Sequence, residues 1–188
     1  MNTPRTKKPK RWQHSIQNPV FGAYSMEIRD PEFLQALGAI VSAWPHVEEV
    51  MMLILSELLG VLMDETGIRQ LYHSVINAKA RIDIMRNLLE HSPRNASKTG
   101  EYDEIIDDFA KLNLKRNKFV HGLWSTHDTG KIFISPSGMD TMWIMTQARE
   151  VNIKELNGLL ADMRKFTLKA QDIIQRDIKH KLDSKNLT

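Results

Sequence analysis

The chain has 188 residues, 41% of them hydrophobic, with no cysteine and a formal net charge of +3. That length and apolar content fit one domain with an appendage. The lack of cysteine removes disulfides, thiolate zinc sites and cysteine nucleophiles, and suits a reducing cytoplasm. No unbroken apolar run has the length of a membrane span, because Ser56-Glu57 interrupts the densest patch at Met51 to Leu55, and no apolar stretch follows the basic N-terminus as a secretory signal requires. A soluble, cytoplasmic chain is therefore expected.

Residues 1–30 lack periodicity and carry Pro4, Pro9, Pro19 and Gly22, which reads as a loosely docked arm. Arg5, Lys7, Lys8, Lys10 and Arg11 are basic and no acid precedes Glu27, so the arm holds the basic excess and the remainder is slightly acidic. Such an arm is either a solvated tail or a contact to a phosphate backbone, with Trp12 available to stack on a base.

A first helix starts at Asp30-Pro31, with Asp30 as cap and Pro31 in the first turn. Leu34, Leu37, Val41, Trp44, Met51, Ile54, Leu58 and Val61 form one stripe running to about Met63, with a bend expected at Pro45. A second helix is expected from Gly67 to His91, with Leu71, Val75, Ala78, Ile82, Met85 and Leu89 on one face. Residues 92–100 read as a loop, and a third helix follows from Glu101 to His121, stopped by Gly122 in a left-handed conformation.

Residues 123–149 change character. Asp128-Thr129-Gly130 and Pro136-Ser137-Gly138 are turn signals around the short apolar runs Lys131 to Ile134 and Met142 to Met145. They read as a small antiparallel hairpin or meander. A fourth helix begins at Asn152, with Glu155 completing a capping box, and carries Leu156, Leu159, Met163, Phe166, Ala170 and Ile173 to about Leu182. Residues 183–188 are a tail. The expected architecture is mainly α: an antiparallel four-helix bundle over residues 31–182, with a β insert between the third and fourth helices.

The chemistry concentrates at the end of the third helix, in Arg116-Asn117-Lys118-Phe119-Val120-His121. At about 100° per residue, Ile105, Phe109, Leu112 and Val120 define its apolar stripe. Arg116 falls inside that stripe, while Asn117 and His121 lie at its edge. Lys111, Lys115 and Lys118 point away and read as solvated surface. An arginine among apolar side chains is costly unless paired, and Glu48 on the first helix is the expected partner. The pair would be purely structural, or would leave part of the guanidinium free for a phosphate. An arginine grips phosphate with two parallel hydrogen bonds, and a histidine moves protons near neutral pH. His121 also suits a helix C-terminus for its dipole alone. The other histidines have no metal-ligand spacing, so neither metal nor cofactor is expected. Trp44, Trp124, Trp143 and the ten methionines read as core.

The order of features resembles a HEPN-superfamily domain over residues 32–182: a long helix with Trp44 and Glu48, a second long helix, and a third ending in the Arg-x4-His motif of Arg116 and His121 with a polar residue, Asn117, after the arginine. The resemblance implies a HEPN-like helical bundle and a homodimer whose two motifs face one another. It implies a metal-independent endoribonuclease in which Arg116 and His121 are catalytic, Asn117 assists, Glu48 supports, and the ribose 2′-hydroxyl is the internal nucleophile. A toxin or phage-defence effector, with RNA as substrate and an antitoxin or defence partner, is the corresponding biology. The alternative is a non-catalytic HEPN-like dimer that binds RNA, a nucleotide or a partner protein. Leu123 stands two residues after His121, where nucleotidyltransferase-partnered members often carry a Tyr, and the β insert lies outside the minimal bundle.

Overall fold

The computed structural model describes residues 24–25, 27–60, 65–136 and 148–185. It is mainly helical, with a small antiparallel sheet. The basic residues Arg5, Lys7, Lys8, Lys10 and Arg11, the end of the first stripe at Val61, and the apolar run at Met142 to Met145 lie outside the described residues.

Helix α1 spans Pro31–Leu59. Asp30 Oδ1 accepts hydrogen bonds from the amides of Glu32 (2.9 Å) and Phe33 (3.1 Å), two of the donors a helix start leaves free. The helix is continuous through Pro45 and ends where Gly60 turns left-handed at φ 63°. Its inward face is broader than expected and turned by one residue at the start. Phe33, Ala36 and Ile40 are buried, whereas Leu34 and Val41 are half exposed. The face is set by packing against both α4 (Thr99–Val120) and the last helix, α5 (Ile153–Lys185). By length and composition α1 is apolar enough to cross a membrane, with a mean hydropathy of 1.3 over 18 residues, so the absence of an unbroken apolar run did not exclude such a helix. Here its residues from Phe33 to Leu58 contribute to the core.

The expected second helix is two helices, α2 (Glu65–Ser74) and α3 (Ala78–His91). They break at Val75-Ile76-Asn77, where Asn77 Oδ1 caps α3 by accepting from the Lys79 amide at 2.8 Å. Leu71, expected inside, is exposed, and Ile68 and Tyr72 are buried in its place. The expected loop at 92–100 contains a 3₁₀ helix, Pro93–Lys98. Buried Asn95 donates to the carbonyls of Leu58 (3.1 Å) and Leu88 (3.0 Å), tying the ends of α1 and α3 together. The cap of α5 is as expected: Asn152 Oδ1 accepts from Lys154 N (2.9 Å) and Glu155 Oε1 from Asn152 N (3.2 Å). Every expected stripe residue of α5, from Leu156 to Ile173, is buried.

Ion pairs fix the directions of the helices. Glu101–Arg176 and Lys115–Asp162 run α4 antiparallel to α5. Lys98 reaches both Glu57 (3.1 Å) and Asp177 (3.5 Å), so the C-terminal ends of α1 and α5 lie together and these two helices are parallel. The extra reversal at residues 75–77 changes the sense of the helices that follow. A strictly antiparallel order of four helices is therefore not what forms.

The sheet has the order β1-β2-β3-β4, all antiparallel. Its strands are Tyr24–Ser25, Leu123–His127, Ile132–Ser135 and Arg149–Glu150. The Asp128-Thr129-Gly130 turn joins β2 to β3, with Gly130 at φ 81°. Strand β1 comes from the segment read as an arm: Tyr24 and Ser25 pair with His127 and Thr126. Trp124 fastens the sheet to the helices. It packs edge-on against Phe33 (5.5 Å), stacks on Phe119 (6.2 Å) and donates from Nε1 to the Phe119 carbonyl (2.9 Å).

Candidate functional site

The last two turns of α4 carry Arg116, Asn117 and His121, and the structure brings all three together. Arg116 is half-buried because Ile105, Phe109 and Leu112, which precede it along the same helix, point into the core. Its guanidinium carbon lies 5.3 Å from the centre of the Trp44 ring, and Trp44 is itself stacked on Phe109 at 5.7 Å. A cation on an indole face gains about 0.5–2 kcal/mol, more as water is removed. Arg116 Nη1 donates to Asn117 Oδ1 at 3.0 Å and lies 3.4 Å from His121 Nε2. Arginine can only donate, so Nη1 is the donor in any hydrogen bond between the two side chains. Arg116 Nε is buried with no hydrogen-bond partner among the described residues.

Glu48 is not the partner of Arg116. Its Oε1 accepts from Arg81 Nη1 at 2.9 Å, in a pair whose side chains are 26% and 10% exposed. The break between α2 and α3 is the physical reason. It sets Arg81 in the first turn of α3, opposite Glu48, where Arg81 Nε also donates to the Val75 carbonyl (2.6 Å), a group that the end of α2 leaves without a helical donor. The same guanidinium lies 4.3 Å from the Tyr72 ring centre. Among the described residues no carboxylate pairs with Arg116.

His121 is the C-cap of α4, with its amide bonded to the Asn117 carbonyl at 3.0 Å and its ring exposed. Gly122 does not take the expected left-handed turn; among the described glycines only Gly60 and Gly130 have positive φ. Its role is close approach. A Cβ there would stand 2.4 Å from Ile134 Cδ1 and 2.6 Å from the Lys118 carbonyl. Without that atom, Ile134 of β3 packs directly against the chain after His121.

Basic groups gather beside the motif. Arg149 reaches both carboxylate oxygens of Glu155 (2.8 and 3.1 Å) and lies over the Phe119 ring at 5.8 Å. Lys118 titrates below the usual ammonium range, first through burial and then through the charge of Arg149, with Glu155 opposing. Lys111 and Lys115 are surface residues paired with Asp108 and Asp162, as their positions on the helix suggested. Sequence reasoning missed Trp44 as the platform for Arg116, and Arg149 altogether. Leu114 was also missed. It is 72% exposed and sits three residues before Asn117 on the same side of α4. Among the described residues no three His, Asp or Glu side chains gather closely enough to share a metal ion. Comparison with known proteins returns no matching family model, no matching curated protein and no matching solved structure.

Proposed function

We propose that the chain is a metal-independent endoribonuclease of HEPN type that acts as a homodimer, with Arg116 and His121 as catalytic residues and Asn117 assisting. The observation that carries this reading is the state of Arg116. It is a half-buried cation with no carboxylate partner among the described residues, and its Nη1 lies 3.4 Å from His121 Nε2. A phosphodiester supplies the missing anion. His121 Nε2 would take the proton of a ribose 2′-hydroxyl, whose oxygen attacks the adjacent phosphorus. The 5′-oxygen of the next nucleotide leaves and takes up a proton, giving a 2′,3′-cyclic phosphate and a 5′-hydroxyl. Arg116 would stabilise the charge growing on the phosphorane oxygens, and Asn117 Oδ1 would hold the guanidinium in place. Exposed Leu114, beside Asn117, supports a second copy meeting this face of α4.

A non-catalytic dimeric module is the second reading. It is favoured by the engagement of Arg116 Nη1 with both Asn117 and His121, which leaves fewer donors for a transition state. One experiment separates the two. Pure protein is incubated with mixed RNA in chelator and the product ends are identified, alongside His121→Ala. The proposal expects cyclic phosphate ends and a loss of roughly 100-fold or more in the variant. The variant should remain folded, since removing a histidine from an exposed helix end costs up to about 1 kcal/mol. RNA bound but never cut would favour the binding module. A toxin or defence role, in the cytoplasm and with a protein partner, belongs to the same proposal and predicts a growth defect on expression that His121→Ala relieves.

A further inference from the structure

The cleavage step uses none of the basic groups that gather beside the motif. Lys111 and Lys115 are each held by an aspartate, Asp108 and Asp162. Lys118 differs from them: it is exposed, and among the described residues no carboxylate pairs with it. The acid that acts on it, Glu155, is engaged through both carboxylate oxygens by Arg149. Arg149 reaches this place through the sheet. It stands opposite Ile134 in the β3–β4 register, and Ile134 packs against the chain at Gly122. Residues directly opposite in an antiparallel pair share a face, so Arg149 is turned toward α4, where it lies over the Phe119 ring at 5.8 Å. Of the two charges acting on Lys118, that of Arg149 outweighs that of Glu155. Lys118 thus stands in a cationic field that these neighbours leave uncancelled.

We propose that Lys118 is a substrate-positioning residue that binds the RNA phosphate on the 5′ side of the scissile one, with the charge of Arg149 behind it. The contact rests on the ribonuclease reading of Arg116 and His121. Its direction comes from helix geometry. His121 closes α4 with its amide bonded to the Asn117 carbonyl, so helical spacing holds as far as that residue. At about 100° per residue, His121 lies about 140° around the helix from Arg116 and about 60° from Lys118. The order around the helix is therefore Arg116, Asn117, His121, Lys118. Side chains three residues apart are neighbours on a helix surface, and Lys118 and His121 are such a pair. In the proposed reaction Arg116 holds the scissile phosphate and His121 meets the 2′-hydroxyl of the ribose on its 5′ side. The other phosphate of that nucleotide lies beyond the ribose, away from the scissile one, and so on the Lys118 side of His121. A lysine suits the task, because its compact charge and three rotatable donors grip a phosphate without a fixed two-pronged geometry.

Three oligonucleotides of one sequence test this with the full chain. Each is 2′-O-methylated except at a single ribose, so that only one linkage can be cut. The first is otherwise unmodified. The second carries a neutral methylphosphonate on the 5′ side of that ribose, and the third carries it one step to the 3′ side of the scissile phosphate. The parent should cleave the second with kcat/KM lowered by roughly 10-fold against the first, the loss of one charge-assisted contact. In Lys118→Ala that preference should fall below about 2-fold, since the contact is already gone. Lys118→Arg should restore it. A ratio between substrates is not moved by a merely structural role of the lysine. Equal sensitivity of the parent and Lys118→Ala to the 5′-side change would overturn the contact and leave the ribonuclease reading standing. So would a Lys118-dependent sensitivity found on the 3′ side instead. A parent that cuts none of the three oligonucleotides, nor mixed RNA, removes the ribonuclease reading and this contact with it.

Discussion

Replacing Glu48 by Ala separates the ion pair that forms from the one the sequence suggested. The change leaves Arg81 with the Val75 carbonyl and the Tyr72 ring but without its anion, in a place where the arginine side chain is 10% exposed. A hydrogen bond to a charged group is worth about 1.5–3 kcal/mol, and breaking a fully buried pair costs about 3–5 kcal/mol. Glu48 is 26% exposed, so water reaches the site and an intermediate loss of about 2 kcal/mol is expected. For a chain of this size that lowers Tm by about 4–8 °C. Thermal and urea melts of two double-mutant cycles identify the partner. Glu48→Ala with Arg81→Met should show a coupling of about 1–2 kcal/mol, whereas Glu48→Ala with Arg116→Met should be additive within about 0.5 kcal/mol. If the coupling to Arg116 equals or exceeds that to Arg81, the carboxylate serves Arg116 and the account of the site given above fails.

Gly122→Ala should destabilise the protein by about 1–3 kcal/mol, because the added carbon meets a backbone carbonyl as well as Ile134; a melt unchanged from the parent would mean that β3 can retreat. Burial pushes the Tyr72 phenol up from 10.0 to about 12, and burial with the bond to Asp177 raises that of Tyr102 further. A raised phenol contributes stability that is whole below the unfolded value and disappears as pH climbs through the folded one. Stability should therefore decline between pH 10 and about 12, and Tyr72→Phe should flatten that decline. Phenolate absorbance checks the premise: Tyr72 and Tyr102 should ionise only as the chain unfolds. Deleting residues 1–15 should weaken RNA binding and reduce its salt dependence, since five basic side chains release counterions on binding; an identical salt slope would show that the arm does not touch the backbone.

The helices were legible where one face does one job. The stripe of α5 and its cap at Asn152 could be read directly, because α5 turns a single apolar face to the core and its first turn satisfies itself locally. The break at residues 75–77 was hidden because Val75 continues the helical period while Asn77, a good cap, is polar on either reading. With the break concealed, nothing indicated that Arg81 would face Glu48. Strand β1 was equally silent: two residues form a strand only because β2 offers an edge to pair with. Arg116, Asn117 and His121 lie within six residues on one helix, so their meeting needs only helix geometry. Trp44 beneath Arg116 needs the packing of α1 on α4, which no local pattern encodes.

Two half-buried arginines of this molecule, Arg81 and Arg116, give the clearest reason to look for chemistry at one and not the other. Arg81 is closed on every side that matters, with a carbonyl on Nε, a carboxylate on Nη1 and an aromatic ring against its face. Its charge is neutralised inside the fold, and its work is to join α1 to the start of α3. Arg116 has the aromatic face and a neutral amide oxygen but no anion among the described residues, and its Nε is left without an acceptor. Burial makes an uncompensated cation expensive, and a fold that keeps one tends to do so for a ligand that completes it. Under the proposed function that ligand is an anion with several acceptor oxygens, presented to the guanidinium beside the His121 imidazole. An RNA backbone phosphate, with the ribose hydroxyl next to it, is the form the proposal gives that anion.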